Sequence, residues 1–344
     1  MRYQSGLLAV TLCGLACGAD RTAQLEALLA PFGSSDPSVS IAVIQDGKPL
    51  VISRGLSNLE THTQATSATN YRLASMTKEF TATAILLLAQ DGKLRLDQTL
   101  DQLFPQFPAY AKSITIRQLL THTGGLWDYE ELIPPSQKIA FKDAEAVQFS
   151  STHATPYFPP GSKFQYSNTG YAALAEIVRI TSGMRFATFL KTRIFDPLGM
   201  TGTVAHEEGL DTVRNRAYGY TGRTRTDQNI TSSVLGDGGI YTSIDDLIKW
   251  NAALDSGRLL PRAVLDEATT AGKLTTGEPL NYGYGWFVDP YHGHRRHWHT
   301  GETIGFRTAI QRFPDQKLTI IVLSNRGALD AKKLSLDIAD LYLQ

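Results

Sequence analysis

The sequence predicts an α/β protein in which one lobe is built from both ends of the chain and a mainly helical lobe is inserted between them. Residues 39–44 form a short, mostly apolar run that is typical of a strand, and hydrophobic residues alternate with a period of two after Tyr282. The apolar segments between these regions have helical spacing instead. Because strands occur at both ends and helices in the middle, we expect an α/β lobe at about 20–74 plus 271–344, and a helical lobe at about 75–270.

The elements of the α/β lobe follow from this alternation and from turn signals. A short amphipathic helix at 23–29 precedes the first strand, and Asp46-Gly47 is a hairpin signal that leads into a second strand at 49–53. The C-terminal elements are predicted in the same way. They are strands near 286–288, 296–299, 306–313 and 318–323, a turn at 314–317, and a closing helix at 329–343.

The inserted lobe is predicted to contain helices at about 77–89, 116–121, 144–149, 170–181 and 244–254. The first of these is strongly apolar and ends at Asp91-Gly92, which is typical of a buried helix. The proline-rich stretch 156–160 is expected to be a loop. The polar stretch 209–233 is expected to be a flexible loop that overhangs a functional site.

Ser75 and Lys78 are candidate catalytic residues. A serine becomes a good nucleophile only when a neighbouring base removes its proton. If Ser75 lies in the first turn of a helix, Lys78 lies on the same face one turn later and can reach the hydroxyl. The helix N-terminus would then stabilise the oxyanion that forms. The alternative is purely structural, with Ser75 capping the helix and Glu79 close to the position of a capping box.

Two downstream motifs favour the catalytic interpretation. Ser75-Met76-Thr77-Lys78 is the only S-x-x-K in the sequence, and Tyr166-Ser167-Asn168 is its only Y-x-N. His299-Thr300-Gly301 follows on a predicted strand. A single short motif is weak evidence, but three in this order point to one active site.

Together these motifs resemble those of the serine β-lactamase and penicillin-binding-protein superfamily. The similarity is to the branch that holds class C β-lactamases, D-Ala-D-Ala carboxypeptidases, D-aminopeptidases and β-lactamase-like esterases, in which Y-x-N replaces S-D-N. It extends from about residue 38 to the C-terminus. Further stretches that agree with this branch are 119–126, 160–171, 197–200, 238–243 and 282–286. The resemblance implies an antiparallel sheet flanked by helices, with the active site in a groove between the two lobes.

The resemblance also implies a role for each motif residue. Ser75 would be the acyl-accepting nucleophile, and either Lys78 or Tyr166 would remove its proton. Asn168 would bind the acyl side of the substrate and hold Lys78 in place. The oxyanion hole would use the backbone N–H groups of Ser75 and Glu302. The resemblance implies neither a cofactor nor a metal.

The third motif, His299-Thr300-Gly301, is also expected to bind substrate, but it departs from the β-lactamase pattern. Those enzymes carry a lysine in place of His299, and that lysine supplies a permanent cation for the carboxylate of the substrate. A histidine with an ordinary pKa near 6.5 is mostly neutral at pH 7. The departure therefore favours an ester, an amide or a D-amino-acid peptide over a β-lactam.

Two further interpretations concern histidines. His297 and His299 alternate along a strand and could chelate a metal. No carboxylate at ligand spacing completes such a site, so a solvated basic hairpin tip at 292–296 is preferred. His122 is expected to cap a helix that ends at Gly124-Gly125 rather than to act as a catalytic base.

The N-terminus is expected to direct export. Arg2 precedes an apolar stretch at 6–16, and small residues follow at cleavage-like spacing, so residues 1–19 predict a cleavable signal peptide and a periplasmic or secreted protein. Lipid attachment at Cys17 is the alternative, and the stretch is too short for a transmembrane anchor. Both cysteines, Cys13 and Cys17, lie within this segment, which excludes a cysteine nucleophile in the mature chain.

Composition narrows the function further. The 344 residues have a formal net charge of zero and no basic block, which argues against nucleic acid or an anionic membrane as partner. The first hypothesis is an exported serine hydrolase that acts on small esters or amides, with a small molecule or short peptide as its substrate. A D,D-peptidase or β-lactamase is the second. A non-catalytic binding relative is the third, and the intact motifs argue against it.

Overall fold

The computed structural model describes residues 21–343, so the predicted signal peptide at 1–19 lies outside the described residues. Strands and helices are named here in chain order. The strands are β1 (Val39–Gln45), β2 (Lys48–Arg54), β3 (Leu56–Asn58), β4 (Thr63–Gln64), β5 (Tyr71–Arg72), β6 (Val204–Ala205), β7 (Tyr220–Thr221), β8 (Thr224–Arg225), β9 (Ile240–Thr242), β10 (Phe287–Tyr291), β11 (His294–Thr303), β12 (Phe306–Phe313) and β13 (Leu318–Ser324). The α-helices are α1 (21–29), α2 (Lys78–Gln90), α3 (Ile116–Leu120), α4 (Tyr129–Leu132), α5 (Asp143–Ser151), α6 (Asn168–Ser182), α7 (Phe186–Leu190), α8 (Asp196–Leu198), α9 (Leu235–Gly238), α10 (Ile244–Ser256), α11 (Arg262–Ala268) and α12 (Ala331–Asp340).

The central sheet joins the two ends of the described chain. Its six strands are antiparallel and follow the order β10-β11-β12-β13-β1-β2. β1 pairs with β13 along its whole length, with Val39 opposite Ser324 and Gln45 opposite Leu318. The antiparallel sheet flanked by helices is therefore confirmed.

β1 is buried along almost its whole length because helices cover both faces of the sheet. Ile41 and Val43 point into a cluster that contains Leu29 of α1 and Ile338 of α12. Ala42, which lies between them, points to the opposite face and into the larger core around α2 and α6. A strand that is covered on both faces reads as a continuous apolar run, as β1 does in the sequence.

Most predicted elements are present within a few residues of their expected bounds, because their hydrophobic periods are strong. A small antiparallel sheet in the order β5-β9-β6 pairs the end of the predicted segment 20–74, which holds β5, with two strands in the region predicted as mainly helical. Its strands have two or three residues each, which is too short for a readable alternation. This sheet matters for the site because β5 runs directly into the segment that carries Ser75.

Candidate active site

Ser75 lies in a 3₁₀ turn, Ala74–Thr77, that leads directly into α2. Residues i and i+3 eclipse in a 3₁₀ helix, so Lys78 at the start of α2 stands over Ser75. The preceding Ala74 has a φ of +50°, in the left-handed region that non-glycine residues rarely adopt. In the stretch 71–80, Ser75 is the only residue that is not buried. Ser75 does not cap α2, whose N-cap makes no side-chain hydrogen bond.

Lys78 connects Ser75 to Asn168 and Asp237, and we call these four residues the lysine network. Its Nζ lies 3.2 Å from Ser75 Oγ, 2.8 Å from Asn168 Oδ1 and 3.0 Å from the main-chain oxygen of Asp237. The amide and carbonyl oxygens are acceptors, so each takes one N–H of Lys78. Lys78 Nζ donates to Ser75 Oγ as well, so the amine and the hydroxyl are in direct hydrogen-bond contact. This geometry suits a base that accepts the serine proton.

Three carboxylates hold the segments that form the lysine network. Asp128 Oδ2 accepts the backbone N–H of Asn168 at 2.6 Å and so fixes the start of α6. Asp237 Oδ2 accepts the hydroxyl of Tyr129 at 2.6 Å. Asp143 accepts the backbone N–H groups of the first two residues of α9, at 3.0 and 2.8 Å. α9 is thereby oriented so that the carbonyl of Asp237 reaches Lys78.

Ser75 opens into a small cavity of about 50 Å³ whose wall is almost entirely polar. The lining includes Glu130, Glu302 and, from the polar stretch 209–233, Thr231. Arg72 also lines it, but its guanidinium donates to the carbonyls of Gly238 and Ser232 and to Gln228 Oε1. Arg72 and Lys78 therefore donate only to uncharged oxygen atoms, and among residues 21–343 neither has an ion-pair partner.

Glu130 places a carboxylate at the mouth of the cavity. Glu130 is an exposed residue, and its backbone N–H donates to Asp128 Oδ1 at 3.0 Å. Desolvation by the cavity wall, together with the neighbouring negative charges of Asp237 and Asp128, raises the pKa of Glu130 to about 7. A positively charged group bound beside it would favour the ionised form. Glu130 is therefore suited to bind an ammonium group.

Tyr166 belongs to a group of packed rings, His122, Tyr166, Tyr282, Phe287 and His299, which we call the aromatic cluster. Lys78 Nζ lies 4.8 Å from the centre of the Tyr166 ring. The hydroxyl of Tyr166 is buried and has no hydrogen-bond partner within residues 21–343. Of the two candidate bases, Lys78 is therefore the one in contact with Ser75 in this structure.

His122 supports Tyr166 and also caps a helix as predicted, although that helix ends before the expected Gly124-Gly125. The backbone N–H of His122 donates to the carbonyl of Leu119 at 3.3 Å, and that of Thr123 donates to the carbonyl of Gln118 at 2.9 Å. α3 ends at Leu120, and His122 follows with a φ of +56°. Its ring stacks on Tyr166 with centroids 4.2 Å apart, and its Nδ1 accepts the backbone N–H of Ser167 at 3.1 Å. Burial, followed by the nearby Lys78, holds the pKa of His122 well below its usual value. The imidazole is therefore neutral.

His299 lies in the aromatic cluster and not on the wall of the cavity that contains Ser75. Its Nδ1 donates to the carbonyl of Thr300 at 2.6 Å, so its Nε2 accepts the hydroxyl of Tyr282 at 3.0 Å. Burial, followed by the charge of Lys78, lowers the pKa of His299 to about 3. The neutral ring is fully bonded to protein. It supplies no cation for a substrate carboxylate.

Gly301 brings β11 against the segment that precedes Ser75. A Cβ at Gly301 would lie 1.9 Å from the carbonyl oxygen of Leu73, so no other residue fits. Thr308 of the next strand donates its hydroxyl to the same carbonyl at 2.7 Å. This close approach puts Glu302, the residue after the third motif, on the cavity beside Ser75.

Two features are absent from the part of the chain that the structure describes. Residues 21–343 contain no group of three or more histidine, cysteine or acidic side chains placed to hold a metal ion. His292 and Gly293 form the tip of the hairpin between β10 and β11, but the predicted solvated tip at 292–296 is too long, because His294 to Arg296 already pair in β11 and Arg296 is buried in an ion pair with Asp289. Over the same residues, no helix is both long and apolar enough to cross a membrane.

The beta-lactamase sequence family matches residues 25–343 of this chain. The chain belongs to the beta-lactamase family. Within this family it is 34% identical to penicillin-binding protein 4* of Bacillus subtilis (strain 168), over 74% of this chain and 60% of that protein. It is 28% identical to the D-aminopeptidase of Gluconobacter oxydans (strain 621H), over 88% of this chain and 59% of that protein. The chain thus spans about three-fifths of the length of these two relatives.

Among solved structures of the beta-lactamase fold, the chain is similar to a D-amino acid amidase from Ochrobactrum anthropi SV3 in complex with L-phenylalanine. The TM-score is 0.78 and the sequence identity 26%, and the match covers 94% of this chain and 97% of that one. The predicted resemblance to the β-lactamase and penicillin-binding-protein superfamily is confirmed.

Sequence reasoning brought Ser75, Lys78 and Asn168 together but missed much of what surrounds them. Asp237 contributes a main-chain oxygen, which has no side-chain signature. Glu130 follows a turn rather than a recognised motif. Acidic residues at 128 and 130, just after the Gly124-Gly125 turn, were the available signal, because short acidic clusters are rare in a wall of this kind.

Proposed function

We propose that this chain is a serine hydrolase that cleaves the amide bond after an N-terminal D-amino acid, through an acyl-enzyme on Ser75. The observation that carries the proposal is the charge of the cavity. Glu130 reaches it, whereas both nearby cations, Arg72 and Lys78, are bonded to protein. Such a cavity favours a substrate with a free α-ammonium group. The similarity to D-aminopeptidases and to a D-amino acid amidase supports the D configuration.

In the proposed reaction, Ser75 Oγ forms a bond to the carbonyl carbon of the substrate while its proton passes to Lys78 Nζ. The backbone N–H groups of Ser75 and Glu302 stabilise the oxyanion. The C–N bond then breaks, and the leaving amine takes a proton from Lys78 or from the unbonded hydroxyl of Tyr166. Water attacks the resulting ester, its proton returns through the same groups, and Ser75 is regenerated. Asn168 holds Lys78 throughout.

The test compares D-alanine p-nitroanilide with its L enantiomer and with N-acetyl-D-alanine p-nitroanilide. We expect the free D-amine to be hydrolysed with the highest kcat/KM, and Ser75→Ala to abolish turnover. Glu130→Gln should lower kcat/KM for the free amine by about 10- to 100-fold, because a charged hydrogen bond is lost, and should leave the acetylated substrate unchanged. Glu131→Gln is the matched control, since the adjacent Glu131 is exposed and is not part of the cavity wall. Equal rates for free and acetylated amines would contradict the proposal.

A β-lactamase or D-Ala-D-Ala carboxypeptidase is the second candidate, and the identity to a penicillin-binding protein favours it. Such substrates carry a carboxylate, and the neutral, buried His299 provides no charge to receive it. A non-catalytic relative is the third candidate, and the complete lysine network argues against it.

We also propose that the protein is exported to the periplasm or the medium, on the basis of residues 1–19. Sequencing the N-terminus of the protein recovered from each cell fraction tests this. A mature chain that begins at Asp20 outside the cytoplasm is the expected result. A lipid-modified start at Cys17 would identify a lipoprotein instead, and an unprocessed cytoplasmic chain would contradict export.

A further inference from the structure

His297 of β11 has a buried ring that neither the fold nor the proposed reaction uses. The residue is 4% exposed, and neither Nδ1 nor Nε2 has a hydrogen-bond partner within residues 21–343. Buried polar groups are nearly always paired, because an unpaired one loses its bonds to water without replacement. A bound molecule is therefore expected to supply the partner of His297.

Two adjacent cavities give such a molecule room. His297 lines a narrow cavity of about 30 Å³, which α2, α10 and α11 enclose together with β11 and β12. A wide cavity of about 520 Å³ lies next to it, and this volume is in the range of small-molecule sites. Neither cavity shares a residue with the cavity that contains Ser75. The four residues that line both are Asp255, Arg262, Arg312 and Pro314.

Positively charged side chains outnumber carboxylates in the wall of the wide cavity. The cations are Arg262, Arg295, Arg312 and Lys317, and the carboxylates are Asp255 and Asp315. A third carboxylate, Asp266, reaches Arg262 from the narrow cavity. The ion pairs Arg262–Asp266, Arg295–Asp315 and Arg312–Asp255 leave the charge of Lys317 over. The wall therefore favours an anion.

Arg312 and His297 are close enough to act on one ligand. They lie opposite each other on the neighbouring strands β12 and β11, and both are buried. Arg312 Nε donates to Asn251 Oδ1 at 2.9 Å and Nη2 donates to Asp255, whereas Nη1 makes no hydrogen bond within residues 21–343. Burial, followed by the charges of Arg312, Arg295 and Arg262, lowers the pKa of His297 to about 3. The imidazole is therefore neutral and has one N–H to donate.

The wide cavity also has an apolar part. Ile44, Phe313 and Leu318 line it, and all three are buried. Hydrocarbon placed against these side chains would be removed from water, which is favourable. The two parts of the wall thus fit an organic molecule with an anionic oxygen group. A metal cation fits poorly, because the three arginines repel it.

We propose that the two cavities form a second binding site, separate from the active site, for a small organic phosphate monoester. The phosphate accepts N–H groups of Arg262 and Arg312 where the cavities meet, as guanidinium groups and phosphates pair well. The narrow cavity has room for a phosphate oxygen or for a water that bonds His297. The organic part lies against the apolar wall. This proposal is independent of the function proposed for Ser75.

The test is isothermal titration calorimetry of the purified protein in phosphate-free buffer at constant low ionic strength. The probes are phenyl phosphate, inorganic phosphate and phenol. Phenyl phosphate should bind at one site per chain, about tenfold more tightly than inorganic phosphate, because its ring buries apolar surface. Phenol should show no saturable binding, and added sodium chloride should weaken the binding of phenyl phosphate.

Two variants locate the bound phosphate. Arg262→Gln should weaken the binding of phenyl phosphate by about tenfold, because a charged hydrogen bond is lost, and this side chain is 61% exposed, so folding should be little affected. His297→Phe should also weaken binding, since it removes both ring nitrogens. Arg258→Gln is the matched control, because Arg258 is exposed and lines neither cavity, and it should bind as wild type does.

Three results would overturn the proposal. Absence of saturable binding of phenyl phosphate would mean that His297 faces only water. The same Kd in wild type and Arg262→Gln would place the bound phosphate elsewhere, and this variant decides the question even if His297→Phe does not fold. Loss of binding in Ser75→Ala, which should bind as wild type does, would place the phosphate in the active site.

Discussion

The lysine network and the aromatic cluster lie side by side, but they treat charge in opposite ways. Lys78 is fully buried, and acceptors from three segments of the chain surround its amine. His122 and His299, in the aromatic cluster, are also buried, but their rings are neutral because burial and the charge of Lys78 lower their pKa values. The lysine network thus holds a buried amine by hydrogen bonds, whereas the two histidines of the aromatic cluster are neutral.

This difference indicates how one fold can serve different substrates. In the proposed reaction the lysine network activates Ser75, which is the step that hydrolysis of any acyl group through a serine requires. The aromatic cluster occupies the position from which a lysine would attract a carboxylate in the β-lactamase pattern. With His299 neutral, the charge that we propose selects the substrate comes from the cavity wall, where Glu130 lies. We therefore expect a preference for cationic over anionic substrates.

The largest expected effect comes from removing the amine of Lys78. Lys78→Ala should reduce kcat on the order of 10⁴-fold, because Ser75 loses the group in contact with its hydroxyl. Steady-state turnover of D-alanine p-nitroanilide measures this loss. Lys93→Ala, at an exposed lysine just beyond the same helix, is the matched control and should retain wild-type activity. Near-normal turnover by Lys78→Ala would contradict its role as base.

Tyr166→Phe tests the aromatic half of the site. It keeps the ring that stacks on His122 and removes a hydroxyl that has no hydrogen-bond partner within residues 21–343. We expect kcat to fall by about 10²- to 10⁴-fold, as for loss of an acid–base group, with no loss in the free energy of unfolding. Tyr157→Phe, at an exposed ring, is the control for kcat. Unchanged turnover would restrict Tyr166 to a packing role.

The pH dependence of kcat/KM tests whether Glu130 of the cavity wall binds the substrate. Because the pKa of Glu130 is raised to about 7, its carboxylate is lost as pH falls through that value, and kcat/KM for a cationic substrate should fall by about tenfold per pH unit below it. The α-ammonium of the substrate loses its own proton near pH 8, which sets the descending limb. Glu130→Gln should flatten the ascending limb. An identical profile in wild type and variant would exclude Glu130 as the group that titrates.

The smallest expected effect concerns a histidine next to the aromatic cluster. Burial, followed by the charges of Arg312 and Arg295, lowers the pKa of His297 to about 3, and neither ring nitrogen has a partner within residues 21–343. The unfolded chain binds a proton at this histidine below about pH 6.5 and the folded chain does not, so folded stability falls as pH falls between these values.

His297→Phe removes this dependence. The free energy of unfolding of the variant minus that of wild type should therefore increase by about 1.4 kcal/mol for each pH unit below about 6.5. Chemical denaturation at several pH values measures the difference, which is insensitive to any constant packing cost of the larger ring. Curves that stay parallel over this range would show that His297 is protonated in the folded protein.

The sequence predicted the parts of the site that follow from spacing. The i, i+3 relation of Ser75 and Lys78 survives the change from an α-helical to a 3₁₀ turn, because both geometries place the two residues on one face. The six-stranded sheet was also predictable, since its strands are five to ten residues long and adjacent strands are joined by turn signals such as Asp46-Gly47. The function of Asn168 came from the family resemblance, and its bond to Lys78 agrees with that role.

The parts of the site that the sequence did not predict depend on contacts between segments that are distant in the chain. Asp237 acts through its main-chain oxygen, 159 residues from Lys78 in sequence, and no side-chain pattern marks such an acceptor. His122 caps α3 as predicted, with a φ of +56°, but the stacking of its ring on Tyr166 joins segments far apart in the chain and has no sequence signal. The position of the Glu302 backbone beside Ser75 likewise depends on the close packing of Gly301 against Leu73.

The most direct test of the account compares one cationic and one anionic substrate on the same wild-type protein. We would measure kcat/KM for D-alanine p-nitroanilide and for benzylpenicillin, and record the intact mass of the protein after exposure to each. The account predicts that the anilide is the better substrate by at least about 10³-fold, as expected if the charge that receives a carboxylate is missing. Rapid hydrolysis of benzylpenicillin, or its stoichiometric attachment to Ser75 together with negligible turnover of the anilide, would contradict it.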